Sequence, residues 1–367
     1  MSCRARAARY SESMDDVAPD KFAPDNFVKD IWYFAGLLSD LRHGGTKALS
    51  LAGEPIVLAR DKNVIFALRD VCPHRAVPLS AGCVKSGTVE CPYHGWRFGL
   101  SDGQCKEIPA LPETADMEIS RIGVRTYPIR QTGPLVWIYL PSDPKDTRAP
   151  TINPPAIDLP RDHATLDDGV ELACHIDHAV IGLMDPAHGP YVHRQWWWRS
   201  ETSIHEKAKA FEPRERGFAM AAHEPSSNSF AYKLLGGKPV TEITFRLPSV
   251  RTEEITIGKR KVLSFTALTP LDEGRTAIRQ LFFTDHPTFR LLSPILGGFA
   301  RTFLRQDSDM VDLQQKGLKH DPRLMLVEDA DTQAKWYYAL KKAWAKSNTS
   351  GEAFINPVKA RILRSRS

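Results

Sequence analysis

Cys72-Pro73-His74 and Cys91-Pro92-Tyr93-His94 place one thiol and one imidazole on each of two short segments, with sixteen residues between them. Two thiolates on one iron and two imidazoles on the other make a mixed-ligand [2Fe-2S] centre, whose histidines raise its potential above that of all-cysteine clusters. The same residue types also suit tetrahedral zinc. Zinc fingers, however, pair Cys with Cys and His with His, whereas here each segment is mixed. That is what a two-iron cluster requires if each segment reaches both irons.

The stretches CPHRAVPLSAGC (72–83) and CPYHGWRF (91–98) resemble those of Rieske oxygenase α subunits. Gly95 permits a tight backbone, and Trp96 and Phe98 either shield the cluster or serve as plain core. Cys83 and Cys105 do not directly follow the ligand segments, so they read as inert buried thiols and not as a disulfide.

An oxygenase of this family needs a second centre. The run from Asp185 through His188 to His193 resembles the family signature of Asp, two residues, His, four residues, His. On an unbroken helix the two histidines would point about 140° apart. Gly189-Pro190 is expected to break that helix and turn His193 back. The resemblance implies that His188 and His193 are two arms of a two-His, one-carboxylate site for Fe(II). For the third arm, Asp307 has Phe303 and Leu304 one turn before it and Met310 and Val311 one turn after, which places it on an apolar, buried face. Asp309 neighbours Arg305, Gln306 and Asp312, a solvated face. The family pattern of Asp, an acid five residues on, then Gln is met by Asp307, Asp312 and Gln314, so Asp307 is chosen. The plainer reading pairs Asp307 with a buried Arg.

For Asp185 the resemblance implies a hydrogen bond to an iron-ligating His and to a cluster-ligating His of a neighbouring subunit, an electron route between protomers. Its plainer role is an acid beside Pro186 that ends a helix. Many relatives carry Asn about one turn earlier, where this chain has Ile181 and Gly182, which implies more room or a drier pocket. Trp196-Trp197-Trp198 has no place in the family pattern; at least one indole is expected at a surface, an interface or the pocket wall. His175 and His178 read as helix residues, not as a second metal site.

These residues need elements to position them. Ile56-Val57-Leu58 and Val64-Ile65-Phe66 flank turn chemistry at Asp61-Lys62-Asn63 and read as a hairpin. Residues 88–90 and 135–139 continue as strands, with a turn at Ser101-Asp102-Gly103. Six prolines between 141 and 160 mark a linker. Beyond it, a helix is expected around 173–184, strands at 240–247, 253–257, 262–268 and 276–283, and helices at 297–316 and 329–346. The expected class is α+β: an all-β Rieske domain followed by a helix-grip (START-like) catalytic domain, its curved antiparallel sheet wrapped around a long helix. The expected boundaries are an N-terminal extension (1–26), the Rieske domain (27–145), a linker (146–160), the catalytic domain (161–350) and a frayed, basic C-terminal tail (351–367).

With 49 basic and 44 acidic residues the net charge is +5, mixed along the chain, which argues against nucleic acid as a partner. No apolar run is long enough to span a bilayer. Arg4, Arg6 and Arg9 with no acid before Glu12 imitate a presequence, but a disordered basic start, with Met14 as an alternative initiator, is the simpler reading. Six cysteines, at 3, 72, 83, 91, 105 and 174, are too sparse for a disulfide framework and fit a cytoplasmic protein. The resemblance implies a homotrimer fed from NAD(P)H by a separate reductase, directly or through a ferredoxin. The expected reaction is monooxygenation, by hydroxylation or oxidative demethylation, of a hydrophobic aromatic or cyclic small molecule. Ring cis-dihydroxylation and a pure Rieske electron carrier are the alternatives.

Overall fold

The computed structural model describes residues 27–146, 148–193, 204–224 and 238–366. Trp196-Trp197-Trp198 and the basic N-terminus lie outside the described residues. Eleven described strands build the first half: β1 (Ile31–Leu37), β2 (Thr46–Leu51), β3 (Glu54–Asp61), β4 (Val64–Arg69), β5 (Cys83–Lys85), β6 (Thr88–Glu90), β7 (Arg97–Gly99), β8 (Cys105–Glu107), β9 (Thr126–Tyr127), β10 (Ile129–Thr132) and β11 (Leu135–Leu140). They form three small sheets, β1-β11-β10, β2-β3-β4-β9 and β5-β6-β7-β8.

Period-two alternation assigns each face of these strands. On β3, Val57 and Ala59 point into the core that holds Cys72 and Cys91, while Ile56 and Leu58 point into a second core shared with the rest of the chain. The turn between β3 and β4 falls at Lys62, whose φ is +53°.

The second half contains β12 (Leu166–Leu172), α1 (Ile176–Met184), α2 (Gly189–Val192), β13 (Glu206–Arg214), β14 (Gly217–His223), β15 (Pro239–Arg246), β16 (Val250–Ile257), β17 (Arg260–Asp272), β18 (Arg275–Thr284), α3 (Pro287–Leu318), α4 (Thr332–Ser350) and β19 (Arg361–Arg366). Its strands form one antiparallel sheet in the order β12-β18-β17-β16-β15-β14-β13-β19. On one face lie Trp32, Phe34, Leu135 and Trp137 of the β1-β11 ribbon, packed on Leu263, Phe265, Leu281 and Phe283. On the other face lies α3, close enough that a Cβ on Gly297 would meet Leu166 at 3.3 Å.

Two joints fix the halves and the helices. Arg279 on β18 donates to Asp40 at 2.5 and 2.9 Å and to Asp167 at 2.8 and 2.6 Å, and Lys47 adds a bond to Asp40 at 2.8 Å. Asp177 of α1 is fully buried and accepts from Lys341 at 2.7 and 2.8 Å and from Tyr337 at 2.7 Å, which ties α1 to α4. His175 caps α1 by accepting from the Asp177 N–H at 3.2 Å.

Several expectations need correction. The basic tail is not frayed: Arg361–Arg366 pairs with β13 as the last strand of the large sheet, because Leu363 drops into the shared core at 5% exposure. The long helix begins at Pro287, ten residues before the expected start, since Pro287 occupies the first turn, where no N–H is needed, and Pro294 is carried inside the helix. β12 was not expected, because Asp167-Asp168-Gly169 masks a strand that depends on pairing with β18. Residues 148–160 do lack regular structure, yet Ile152, Ile157 and Leu159 pack against the β1-β11 core.

Candidate metal centres

The two cysteine segments are built alike. In the first, the Ala76 N–H donates to the Cys72 carbonyl at 2.8 Å and the Cys72 N–H to Val77 at 3.0 Å. In the second, the Gly95 N–H donates to Cys91 at 3.0 Å and the Cys91 N–H to Trp96 at 2.8 Å. Each loop closes through a left-handed residue four after its cysteine, Ala76 at φ +57° and Gly95 at φ +70°. Glycine suits that conformation without cost, and the alanine holds it against its Cβ. Nothing in the sequence marks Ala76 as the counterpart of Gly95.

Cys72 and Cys91 are buried at 1% and 2% exposure, while His94 is exposed. The His74 and His94 rings lie 4.5 Å apart, and Trp96 stacks on His74 at 4.6 Å and 6°. Trp96 therefore covers a candidate ligand, and Phe98 is core at 0% exposure. Burial pushes the Cys72 thiol above its ordinary value, and the adjacent Cys91 adds to this; backbone N–H groups of His74 and Arg75 partly oppose it. His74 Nδ1 is buried with no hydrogen-bond partner. Two facing thiols, a second imidazole and an orphaned imidazole nitrogen are the donor set a [2Fe-2S] cluster takes. Cys83 and Cys105 are both free thiols; Cys83 is exposed, correcting the expectation that it is buried, because it sits on the short edge strand β5.

The second centre is assembled from a broken helix and α3. α1 stops at Met184, where its end was expected, with Asp185 as its cap, so Gly189-Pro190 does not break that helix but starts α2. His188 and His193 thus bracket a single short turn, their rings 5.2 Å apart at 72°. Asp307 Oδ1 lies 3.3 Å from His193 Nε2 and 3.7 Å from His188 Nε2. One donor atom from each of the three residues lies within 4.8 Å of the others, and among the described residues they are the group of three able to hold a metal ion. Asp307 is half-exposed, its side chain 40% accessible, not buried as expected; the face it shares with Phe303 and Leu304 looks into open cavity and not into packed core.

Each histidine has a partner at its other nitrogen. His193 Nδ1 lies 3.0 Å from Gln306 Oε1, and its ring meets Phe303 edge-on at 4.5 Å. Gln306 was missed in the sequence, although it adjoins Asp307. His188 Nδ1 lies 3.6 Å from Asp185 Oδ2, an ion-pair distance just beyond a hydrogen bond, while Asp185 Oδ1 accepts from the Ala187 N–H at 2.7 Å. Burial works against a charged His188, but Asp185 and Asp307 outweigh it and hold its pKa above the ordinary value. His175 and His178 stay apart from this group; burial lowers the pKa of both.

A cavity of about 780 Å³ opens beside the three donors. Leu296, Phe299 and Phe303 of α3 form one wall, and Ile243, Ile255 and Phe282 of the sheet face them. Both its size and its apolar lining suit a small organic molecule. Gly182 also borders it and, with nothing within 4 Å of where a Cβ would stand, offers space and no polar group.

A two-Cys, two-His centre with buried cysteines in a β module, followed by a two-His, one-carboxylate centre beside a large antiparallel sheet, defines a class of iron-dependent oxygenases. Residues 31–128 match the Rieske [2Fe-2S] domain, and residues 173–346 match the vanillate O-demethylase oxygenase C-terminal domain. The chain belongs to the Rieske non-haem iron oxygenases, and a [2Fe-2S] cluster and a mononuclear iron are its cofactors. It is 33% identical over 175 residues to the oxygenase component of dicamba O-demethylase from Stenotrophomonas maltophilia, covering 46% of this chain and 48% of that one. It is 34% identical over 167 residues to 4beta-methylsterol monooxygenase from Methylococcus capsulatus, covering 44% of each. Protein TIC 55 from Arabidopsis thaliana is 30% identical over 328 residues, 85% of this chain and 56% of that one. The chain spans about a quarter to just over half the length of the curated relatives it matches. Its fold is that of dicamba monooxygenase bound to dicamba, with a TM-score of 0.68 at 21% identity over 88% of this chain and 99% of that one.

Proposed function

We propose that this chain is a terminal oxygenase that monooxygenates a hydrophobic aromatic or cyclic small molecule, by hydroxylation or oxidative demethylation. The observation that carries this is the convergence of His188, His193 and Asp307 at the side of one large apolar cavity. In this reading Cys72, His74, Cys91 and His94 hold the cluster, and His188, His193 and Asp307 hold the mononuclear iron. When bound, the iron supplies dioxygen activation with electrons delivered through the cluster.

The protein's own groups set the conditions for that chemistry. Gln306 accepts a hydrogen bond from His193 Nδ1, which fixes the tautomer that leaves Nε2 as the donor to the metal. Asp185 does the same for His188 from longer range. Phe299, Phe303 and Phe282 exclude water and bind the apolar body of the substrate beside the centre.

The reading extends to partners. A reductase drawing on NAD(P)H, directly or through a ferredoxin, supplies the electrons. His94 is exposed and Asp185 is 32% accessible, so both can be reached by a neighbouring copy, which supports a homotrimer with Asp185 as the junction between one subunit's cluster and the next subunit's iron. Among the described residues five cysteines are unpaired, and no helix is long and apolar enough to cross a membrane; the free thiols support a cytoplasmic setting. We take 27–145 as the Rieske domain and 161–350, with β19 added, as the catalytic domain.

Product analysis under labelled dioxygen tests the reaction. One labelled oxygen in the product, or formaldehyde released from a methyl ether, is the expected result. Two labelled hydroxyls on adjacent ring carbons would sink it in favour of cis-dihydroxylation.

A further inference from the structure

β17 is covered on both faces, and the two faces are built differently. Leu263, Phe265 and Ala267 pack against the β1-β11 ribbon, while Val262, Ser264 and Thr266 line the cavity. A strand covered on both sides ordinarily reads as a continuous apolar run. On the ribbon side Thr269 departs from that, its hydroxyl donating to the Phe34 carbonyl at 3.0 Å, and on the cavity side Ser264 and Thr266, at 4% and 1% exposure, depart from it. The register extends the departure sideways. Arg251 on β16 lies opposite Thr266, Thr266 lies opposite Gln280 on β18, and Glu253 lies opposite Ser264. All five line the cavity, so a polar row crosses three strands of its floor between apolar neighbours such as Ile255, Val262 and Ile278.

Within the row some groups are matched and one is not. Arg251 Nη2 donates to Glu253 Oε2 at 3.2 Å, and Gln280 Nε2 lies 3.5 Å from Ser264 Oγ. Thr266 Oγ1 is buried and has no hydrogen-bond partner; the same holds for Thr241 Oγ1, on the same wall at 2% exposure. Both residues line the cavity, so an occupant whose polar group reaches either hydroxyl would satisfy it.

We propose that the row Arg251, Thr266 and Gln280 is a recognition subsite for an uncharged oxygen-bearing group, a hydroxyl or a ketone, on an otherwise apolar substrate. The proposal rests on the cavity being the substrate site. Charge decides the class. Arg251 is already paired with Glu253, so a carboxylate would find no unmatched positive charge within the row. A hydroxyl or ketone needs only what the Thr266 hydroxyl and the Gln280 amide offer, since each can donate and accept. Anchoring that group on the sheet floor leaves the apolar body against α3 and selects which carbon faces His188, His193 and Asp307.

The test uses holoenzyme and three probes of one shape, naphthalene, naphthol and naphthoate, with dissociation constants measured by calorimetry. Wild type should prefer naphthol to naphthalene by about tenfold or more and bind naphthoate weakest. Thr266→Val should bring the naphthol preference to within about twofold while naphthalene binding stays unchanged, and Thr266→Ser should keep it. Thr266→Val should also raise the melting temperature of the substrate-free enzyme by about 1–4 °C, whereas a hydroxyl serving the fold would lower it. A naphthol preference that survives Thr266→Val, or tightest binding of naphthoate, overturns the subsite. If none of the probes binds, or if narrowing the cavity by Ala300→Phe leaves naphthalene binding intact, the cavity reading itself falls and the subsite with it.

Discussion

The two candidate centres solve the same problem, holding metal donors in place, by different means. The cysteine loops are closed by their own backbone: every bond that shapes them spans at most five residues, and the cysteines sit in a core of Val57, Leu68, Val89 and Phe98. The His188, His193 and Asp307 group is assembled from the two ends of α2 and from α3, and its members are 28%, 10% and 40% accessible. An electron carrier profits from donors that do not move, whereas a centre that admits substrate must stay open on one side. Fold and function are therefore coupled in the first centre and separable in the second.

Substitutions at the two centres should break that comparison if it is wrong. Cys91→Ser is expected to abolish the cluster and also to loosen the module around it, with loss of its visible absorption and a melting temperature several degrees lower. Asp307→Ala should abolish oxygenation as completely, yet leave the cluster spectrum and the melting temperature near wild type, with iron falling from about three to about two per chain. A large loss of stability in Asp307→Ala would make the two centres alike.

Gln306→Leu probes the same separation more gently. Loss of the acceptor for His193 Nδ1 should cost about 10–100-fold in activity or iron affinity without changing the cluster potential. Activity within twofold of wild type would show that packing against Phe303 alone orients the ring.

The joint between the halves should titrate in acid. Burial alone would raise the pKa of Asp40, but the bonds from Arg279, Lys47 and the Leu37 N–H hold it well below the ordinary carboxylate range. A depressed folded pKa contributes stability that is present above the unfolded value of about 3.9 and is lost as pH falls below it. Asp40→Asn should therefore cost about 1–3 kcal/mol at neutral pH, and its stability should fall less steeply than wild type's between about pH 4 and pH 2. Parallel stability curves would remove Asp40 from the joint.

The smallest effect compares the two loops directly. Gly95→Ala must hold a Cβ at φ +70° and 3.1 Å from Pro109, for about 1–2 kcal/mol of destabilisation. Ala76→Gly relieves the same strain at φ +57° but adds unfolded-chain freedom, so denaturant midpoints should stay within about 0.5 kcal/mol of wild type.

What the sequence determined by itself is the local chemistry. The mixed Cys and His segments and the Asp185, His188 and His193 spacing are motifs contained within a loop or a turn and were readable through their resemblance to a family, whereas the burial expected for Asp307 from its helix neighbours is not what the structure shows. The β3-β4 hairpin and the strands β15 to β18 were legible as runs rich in β-branched and aromatic residues. Tertiary structure alone decided the rest. Gln306 beside His193, β19 on the edge of the sheet, the half-open setting of Asp307, and the row of Arg251, Thr266 and Gln280 across the cavity floor all depend on residues distant in sequence. No periodicity encodes the register between strands, because register is settled only when the faces of the whole sheet find their partners.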